Sequence, residues 1–533
     1  MSQLSRRFSP FSLLMLSING IIGSGWLFAP LYAAKTAGSA AIISWCIGGF
    51  SAILIAFTFA ELSAMFPVAG GSARLPQLSH GAFTSFMLSW ISWITALMLA
   101  PLEVQAVLQY ASLFFPSLMH VVDGAANLTL IGFIWAAILM IAMCVINMVS
   151  YNGLQRFNST IFAFKVSVMV LTIFAIFHAR FTPGNFAGFS QSITTADGWK
   201  AIFSAVSTGG IVLAFNGFKT GVELAGETKN LKVALPLSTA GSVLSCLLLY
   251  LGLQICFIGA LDPELLTGGW QQLNFKGDLG PFVALAGTLG LVLVLKLLYT
   301  NSIVSPLGAG LIYVTSTARI LYAISKLGFV PKWLSYLNKH HLPVWAIAVN
   351  FLFGMISFLP LPGWQAMVNF LVSTMVITYA MGPISLMALR LSLPDKTRPF
   401  RLPFARGLCL IAFYICNLFS YWTGWDTISK LSIVLITGLL LFFFAYLRGV
   451  VKVDKEDMKS AHWLMPYLLG LIVISYFGSF GGQGLIPFGL DFVVIGLFSV
   501  VIFQLSIAKR SQITHDQAES FLSKEAAVAL EHT

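Results

Sequence analysis

Three glycines and a serine interrupt an apolar stretch at Asn19-Gly20-Ile21-Ile22-Gly23-Ser24-Gly25-Trp26, inside a segment without charge from Phe8 to Ala34. Glycine in a helix interior costs about 1 kcal/mol relative to alanine, so a continuous helix is not expected there. In hydrocarbon every backbone N–H and C=O needs an internal partner. A broken spanning helix is therefore tolerated only where protein or a water-filled cavity surrounds the break. The two half-helix ends then offer bare N–H donors with the positive end of the helix dipole, and bare carbonyls with the negative end. The chemistry open to such a site is non-covalent: main-chain recognition of small charged groups.

A second interruption, Ala214-Phe215-Asn216-Gly217-Phe218-Lys219-Thr220-Gly221, stands five apolar segments later and repeats the Asn-Gly pair of the first. Few ionisable residues fall inside apolar segments: Glu61, Glu103, Lys165, Lys219 and Lys296. A lysine at the membrane centre costs about 2.5 to 3.5 kcal/mol on insertion scales, so each needs a cavity or a partner. Lys219 either attracts an anionic group of a ligand or pairs with Glu223 one helical turn on. Glu103 is a proton carrier, a partner for Lys219 or a ligand for a cation. Lys165 titrates in a buried site or snorkels to an interface. Glu61, near the end of its segment, reads as a gate or helix-terminus contact, and Phe215 as an occlusion gate or ordinary packing. The six cysteines lie in apolar segments without a CxxC pair, and the eight histidines fall at loops and segment edges, so neither a metal site nor a disulfide framework is implied.

The elements that must position these residues are membrane helices. The 533-residue chain is 58% hydrophobic and only 9% charged, against a charged fraction of about 25% in soluble domains. Ala41 to Ala60 and Leu128 to Ser150 carry no charge over the roughly 20 residues that span a bilayer core. Fourteen such segments can be marked: ten before Leu391, two between Gly407 and Leu447, and two weaker ones at Trp463 to Phe480 and Pro487 to Ile507. The net charge of +11 raises nucleic acid as a partner. Its distribution argues against that: of the 30 Lys and Arg, only Lys35, Arg180, Lys200, Lys276 and Lys430 fall on one side, which places both termini in the cytoplasm. The Arg6-Arg7 pair precedes an apolar run too long for a signal peptide and reads as the flank of a retained first span. The expected organisation is a tail at 1–10, a ten-helix core at 11–391, peripheral helices at 392–448, two extra helices at 449–508 and a cytoplasmic tail at 509–533. Two interrupted segments in corresponding places of two halves point to inverted repeats with the binding site between them.

The chain resembles the amino acid-polyamine-organocation superfamily of permeases over nearly all of the first ten spans. The resemblance rests on the Gly23-Ser24-Gly25 break, Glu61 with Pro67 and Gly70-Gly71, Arg319, Tyr322, Ala323, Gly328 and Pro331, and Phe215-Asn216-Gly217-Phe218 leading to Glu223, Glu227, Lys229-Asn230 and Pro236. It implies an all-α fold with a five-plus-five inverted-repeat core, discontinuous helices one and six, and alternating access. It implies that Gly23, Ser24 and Gly25 hold a substrate carboxylate, and that carbonyls of Ile21, Leu213, Ala214 and Asn216 hold its ammonium. It also implies that Lys165 stands where sodium-dependent members hold an ion, so that its protonation cycle drives transport. Lys219 departs from the family, which commonly has an acidic residue there. The expectation is a proton-coupled amino acid permease in the cell membrane, similar to the aspartate-proton symporter branch, with no cofactor beyond the proton gradient. An exchanger on the same fold, or a transporter-like sensor, remains the alternative. An enzyme is not expected, since no catalytic constellation lies within the spans, and oligomeric state is not legible.

Overall fold

The computed structural model describes the backbone of residues 8–67, 71–122, 125–149, 153–225, 228–275, 280–326, 328–338, 342–361, 363–449, 451, 454–514, 516–517 and 520. Side chains are described for all of these except 71–74, 122, 125, 149, 153–160, 223 and 455. Ser9 caps the first helix by accepting from the Ser12 amide, and proline follows at the first helical position, where no N–H is missed. The chain then runs through α1 (Pro10–Ile21), α2 (Gly25–Ala37), α3 (Ala41–Met65), α4 (Gly71–Ala111), a short antiparallel ribbon of β1 (Met119–Val122) and β2 (Ala125–Leu128), α5 (Leu130–Val149) and α6 (Gly153–Ala179). Short helices follow: α7 (Phe189–Thr194), α8 (Ala196–Thr208), α9 (Ile211–Ala214) and α10 (Lys219–Glu223). Next, α11 (Leu231–Pro236) passes through a π turn into α12 (Ser242–Ala260). The remainder is α13 (Pro281–Thr288), α14 (Val292–Lys326), α15 (Val344–Ile356), α16 (Gly363–Ser392), α17 (Ala405–Trp422), α18 (Trp425–Leu447), α19 (Lys455–Ser460), α20 (Leu464–Phe477) and α21 (Leu490–Ala508).

Among the described residues, eleven helices are long and apolar enough to cross a bilayer, or twelve if the bent pair Ala196–Thr208 and Ile211–Val222 is one span. The protein is thus a multi-span membrane protein. The fourteen expected segments exceed this number, because Gly25–Met65 is one apolar run and the apolar helices Pro10–Ile21 and Val344–Ile356 are short. Burial separates centre from rim. The apolar window of α16 is 100% buried, whereas those of α5 and α18 are 28% buried. A helix apolar all round and buried all round belongs at the centre of a bundle, and the other two turn their Leu, Ile and Phe toward lipid.

Several boundaries differ from the sequence reading. Two helices, α13 and α14, take up the apolar stretch after Pro281, and α14 continues to Lys326, so Arg319, Tyr322 and Ala323 are helical. The second interruption begins earlier than Ala214. Its bend of 43° lies between Thr208 and Ile211, where Gly210 takes φ of 83°, a left-handed conformation that a side chain disfavours. Beyond Ala214 the chain tightens into a 3₁₀ turn at Asn216–Phe218 rather than opening. His80 is not at an edge but fully buried in α4, at a kink with Gly81. One ring nitrogen pairs with the Ser506 carbonyl, so the kink seats the end of α21. Lys296 is exposed on the bundle surface, and of the six free cysteines Cys46 alone is only half-buried.

Candidate functional site

The two breaks lie against each other. At Gly217 a Cβ would stand 2.1 Å from the Gly20 carbonyl carbon and 2.2 Å from the Ile21 nitrogen, so the approach of the two main chains requires glycine there. At Gly25 a Cβ would meet Ala214 Cα at 3.2 Å. Ile21, Gly23, Ser24, Gly25, Leu213, Ala214, Phe215, Asn216 and Gly217 are thereby brought into one neighbourhood, all buried except the half-buried Asn216.

Charged groups close the first break. Between α1 and α2 the Ser24 amide donates to Glu103 of α4, at 3.0 Å to Oε2 and 3.3 Å to Oε1. On the other side, Lys165 of α6 is 1% exposed and donates from Nζ to the Ile22 carbonyl at 2.9 Å. The Ser305 hydroxyl of α14 donates to the Ile22 and Gly23 carbonyls at 3.4 and 3.3 Å. Trp364 Nε1 donates to the Ser24 hydroxyl at 3.0 Å. Lys165 is therefore no snorkelling residue: its charge ends on a main-chain carbonyl inside the break.

Neutral groups close the second break. The Tyr250 hydroxyl of α12 spans both interruptions, within 3.4 Å of the Ile21 carbonyl and 3.3 Å of that of Ala214. Tyr379 of α16 donates to the Asn216 side chain and stands 3.4 Å from its carbonyl. Phe215 packs edge-on to Trp45, with ring centroids 5.8 Å apart, and 5.6 Å from Tyr250, so it forms wall rather than a free gate. Lys219 lies 4.2 Å from the Tyr379 ring centroid and 5.3 Å from that of Phe59, with Thr378 Oγ1 at 3.4 Å. A cation on aromatic faces is held by the ring quadrupoles. Glu103 sits at the other break, with Lys165 as its electrostatic partner, so it is not the partner of Lys219. The Glu223 side chain, the other expected partner, lies outside the described residues, as do Gly70, Glu227 and Lys276.

Aromatic layers flank the breaks. Toward the end bearing Lys35, Trp364 stacks on Phe28 and Tyr32 at 5.1 and 5.6 Å, with Tyr110 edge-on to Phe28. A cavity of about 660 Å³ lies beyond, lined among others by Lys35, Asp197, Lys200, Gln365 and Trp425. Toward the end bearing Arg390, Phe59, Phe218 and Tyr379 pack together. Glu61, near the end of α3, makes a helix-terminus contact at that end. Its carboxylate accepts from Arg390 Nε at 2.7 Å and Nη2 at 2.5 Å, and from the Leu402 amide at 2.7 Å. Arg398 approaches within 3.8 Å, and burial beside Arg390 pushes its guanidinium below the usual value.

Sequence reasoning missed Tyr250, Ser305, Trp364, Tyr379 and Arg390. Tyr250 and Gln254 had a signal, two polar groups one turn apart in an apolar segment. Gln254 joins Trp45 Nε1 to the Pro30 carbonyl.

Broken helices held by distant side chains define, as a class, a membrane transporter rather than an enzyme. The profile of the amino acid permease family matches residues 8–477, and the chain belongs to that family. The glutamate/serine transporter AimA of Bacillus subtilis is 35% identical over 98% of this chain and 100% of its own length. The aspartate-proton symporter of the same organism is 33% identical, over 93% and 95%. The branched-chain amino acid permease BcaP, also from B. subtilis, is 25% identical over 85% and 95%.

Proposed function

We propose that this permease is a proton-coupled symporter of the bacterial plasma membrane, built on a five-plus-five inverted-repeat core with fourteen spans and both termini in the cytoplasm. The observation that carries the reading is Lys165, a buried cation whose Nζ holds the Ile22 carbonyl at the first break. A group that gains or loses a proton there changes what fixes the end of α1, and so ties protonation to the state of the site. Lys165 and Glu103 are the coupling pair. The substrate's carboxylate goes to Gly23, Ser24 and Gly25, and its ammonium to carbonyls of Ile21, Leu213, Ala214 and Asn216, where the long contacts of Tyr250 and Tyr379 yield readily. Lys219 beside the second break favours an acidic side chain. The names of the two most similar relatives given above, which mention glutamate, serine and aspartate, support that class.

The test is uptake of radiolabelled glutamate, aspartate and serine into proteoliposomes. Uptake should rise with an inward proton gradient and be indifferent to replacing sodium by potassium. A strict requirement for amino acid inside the vesicle would instead make the protein an exchanger, and indifference to the proton gradient would remove the coupling role of Lys165.

A further inference from the structure

The Ser24 amide, which the reading above gives to the carboxylate of the substrate, already carries a carboxylate. Both Glu103 oxygens lie within 3.3 Å of that nitrogen. Glu103 is 3% exposed. The neighbouring glycine leaves it space: a Cβ on Gly23 would stand 2.6 Å from Glu103 Oε1. The acid thus rests on the bare helix end where an amino acid's carboxylate would rest, with Lys165 as its electrostatic partner.

We propose that Glu103 is a tethered stand-in for the substrate's carboxylate, and that a substrate takes its place on Ser24 only when Glu103 has accepted a proton and let go. The inference rests on the permease reading. One N–H cannot serve two carboxylates, and two such charges side by side repel. An ionised Glu103 makes a charge-assisted hydrogen bond to the amide, about twice as strong as a neutral one. Once protonated it is a weaker acceptor, and it yields to an ionised competitor. Charge balance favours the exchange. Before it, Lys165 faces the carboxylate of Glu103; after it, Lys165 faces that of the substrate, and the proton stays on Glu103. One proton therefore enters with each amino acid, bound to an oxygen of Glu103, and no bond of the substrate changes. When Glu103 loses the proton on the far side, its carboxylate returns to Ser24 and expels the substrate.

Lys165 of α6 is the charged group that acts on Glu103; the phenol of Tyr250 on α12, itself beside Cys246 and Tyr313 of α14, lies in the field of Glu103 as a neutral group. Where α14 packs directly on Glu103 it brings Gly310, and Met143 of α5 fills the space beside that glycine, so neither adds a charge there.

The test is equilibrium binding of radiolabelled L-glutamate and L-serine to purified protein, with proton uptake followed by an indicator dye in weak buffer. The wild type should bind both more tightly as pH falls, by about tenfold per pH unit over the range in which Glu103 ionises, and take up one proton per amino acid. Glu103→Gln should bind at the low-pH affinity of the wild type whatever the pH, without proton uptake. Glu103→Asp, whose shorter arm reaches the amide poorly, should bind more tightly than wild type at high pH; it carries the test if the Gln variant does not fold. Wild-type binding that is flat in pH, or a Glu103→Gln variant that keeps the wild-type slope, overturns the stand-in while leaving the permease intact. A well-folded wild type that binds no amino acid in a panel of acidic, neutral and basic ones overturns the permease reading and this inference with it.

Discussion

The two breaks touch each other and are held by different partners. The one between α1 and α2 is filled by an acid, a lysine, a serine and an indole N–H, while the one between α9 and α10 is met by tyrosine hydroxyls and an aromatic wall. Charged partners respond to a proton; neutral ones respond only to geometry. The difference teaches that the main chain of the first break is held by ionisable side chains, and that of the second by phenol hydroxyls.

The largest effect should come from breaking the contact between the two. Gly217→Ala puts a methyl about 2 Å from the Gly20 carbonyl carbon, and this clash is with backbone rather than a movable side chain. We expect near-complete loss of uptake in cells with the protein still detectable in the membrane; wild-type uptake would show that the breaks are not held in contact.

Next comes the charged side. Lys165→Met takes the charged donor from the Ile22 carbonyl, so it should abolish the response of uptake to a proton gradient and lower the melting temperature. Counterflow of amino acid across the membrane, which needs no gradient, is the control. Full coupling in the variant would transfer the role away from the first break.

On the neutral side the effects should be smaller. Lys219→Met should weaken acidic amino acids by about tenfold while leaving serine nearly unchanged, because only the former have a side-chain carboxylate to pair with the ammonium, a contact worth about 1.5 kcal/mol. Equal losses in a competition panel would assign Lys219 to structure alone. Tyr250→Phe removes two long hydrogen bonds from a hydroxyl, worth about 1 kcal/mol together, and should raise KM less than tenfold without altering proton coupling. A loss of coupling there would erase the contrast between the breaks.

How much of this was legible in sequence varies by the kind of signal. The first break was plain in Gly23-Ser24-Gly25, because these residues and Gly20 crowd into one short stretch of an uncharged segment. The second was displaced by several residues: Asn216-Gly217 drew attention, while the bend falls at Gly209-Gly210. Lys165 was visible as a charge in an apolar segment, but its destination on the Ile22 carbonyl depends on how α6 turns about its axis, which spacing does not fix. Glu103 was visible and ambiguous for the same reason. Tyr250, Trp364 and Tyr379 were hidden among many aromatics, since a tyrosine facing lipid and one facing a break look alike in one dimension. His80 was misplaced at an edge because the kink at His80–Gly81 lies inside a helix that continues on both sides.

One helix touches nearly everything described. Across its 30 residues, about 45 Å of rise, α16 sets Trp364 on Ser24, Tyr379 on Asn216 and Arg390 on Glu61. From Trp364 to Tyr379 it contains neither glycine nor proline, so those two side chains ride on one stiff rod, and lifting the indole drags the phenol from its seat. Arg390 lies past Gly382-Pro383, a place where helices bend. The clasp at that end is free to loosen by flexing alone, while the opposite lid cannot stir without disturbing the midpoint.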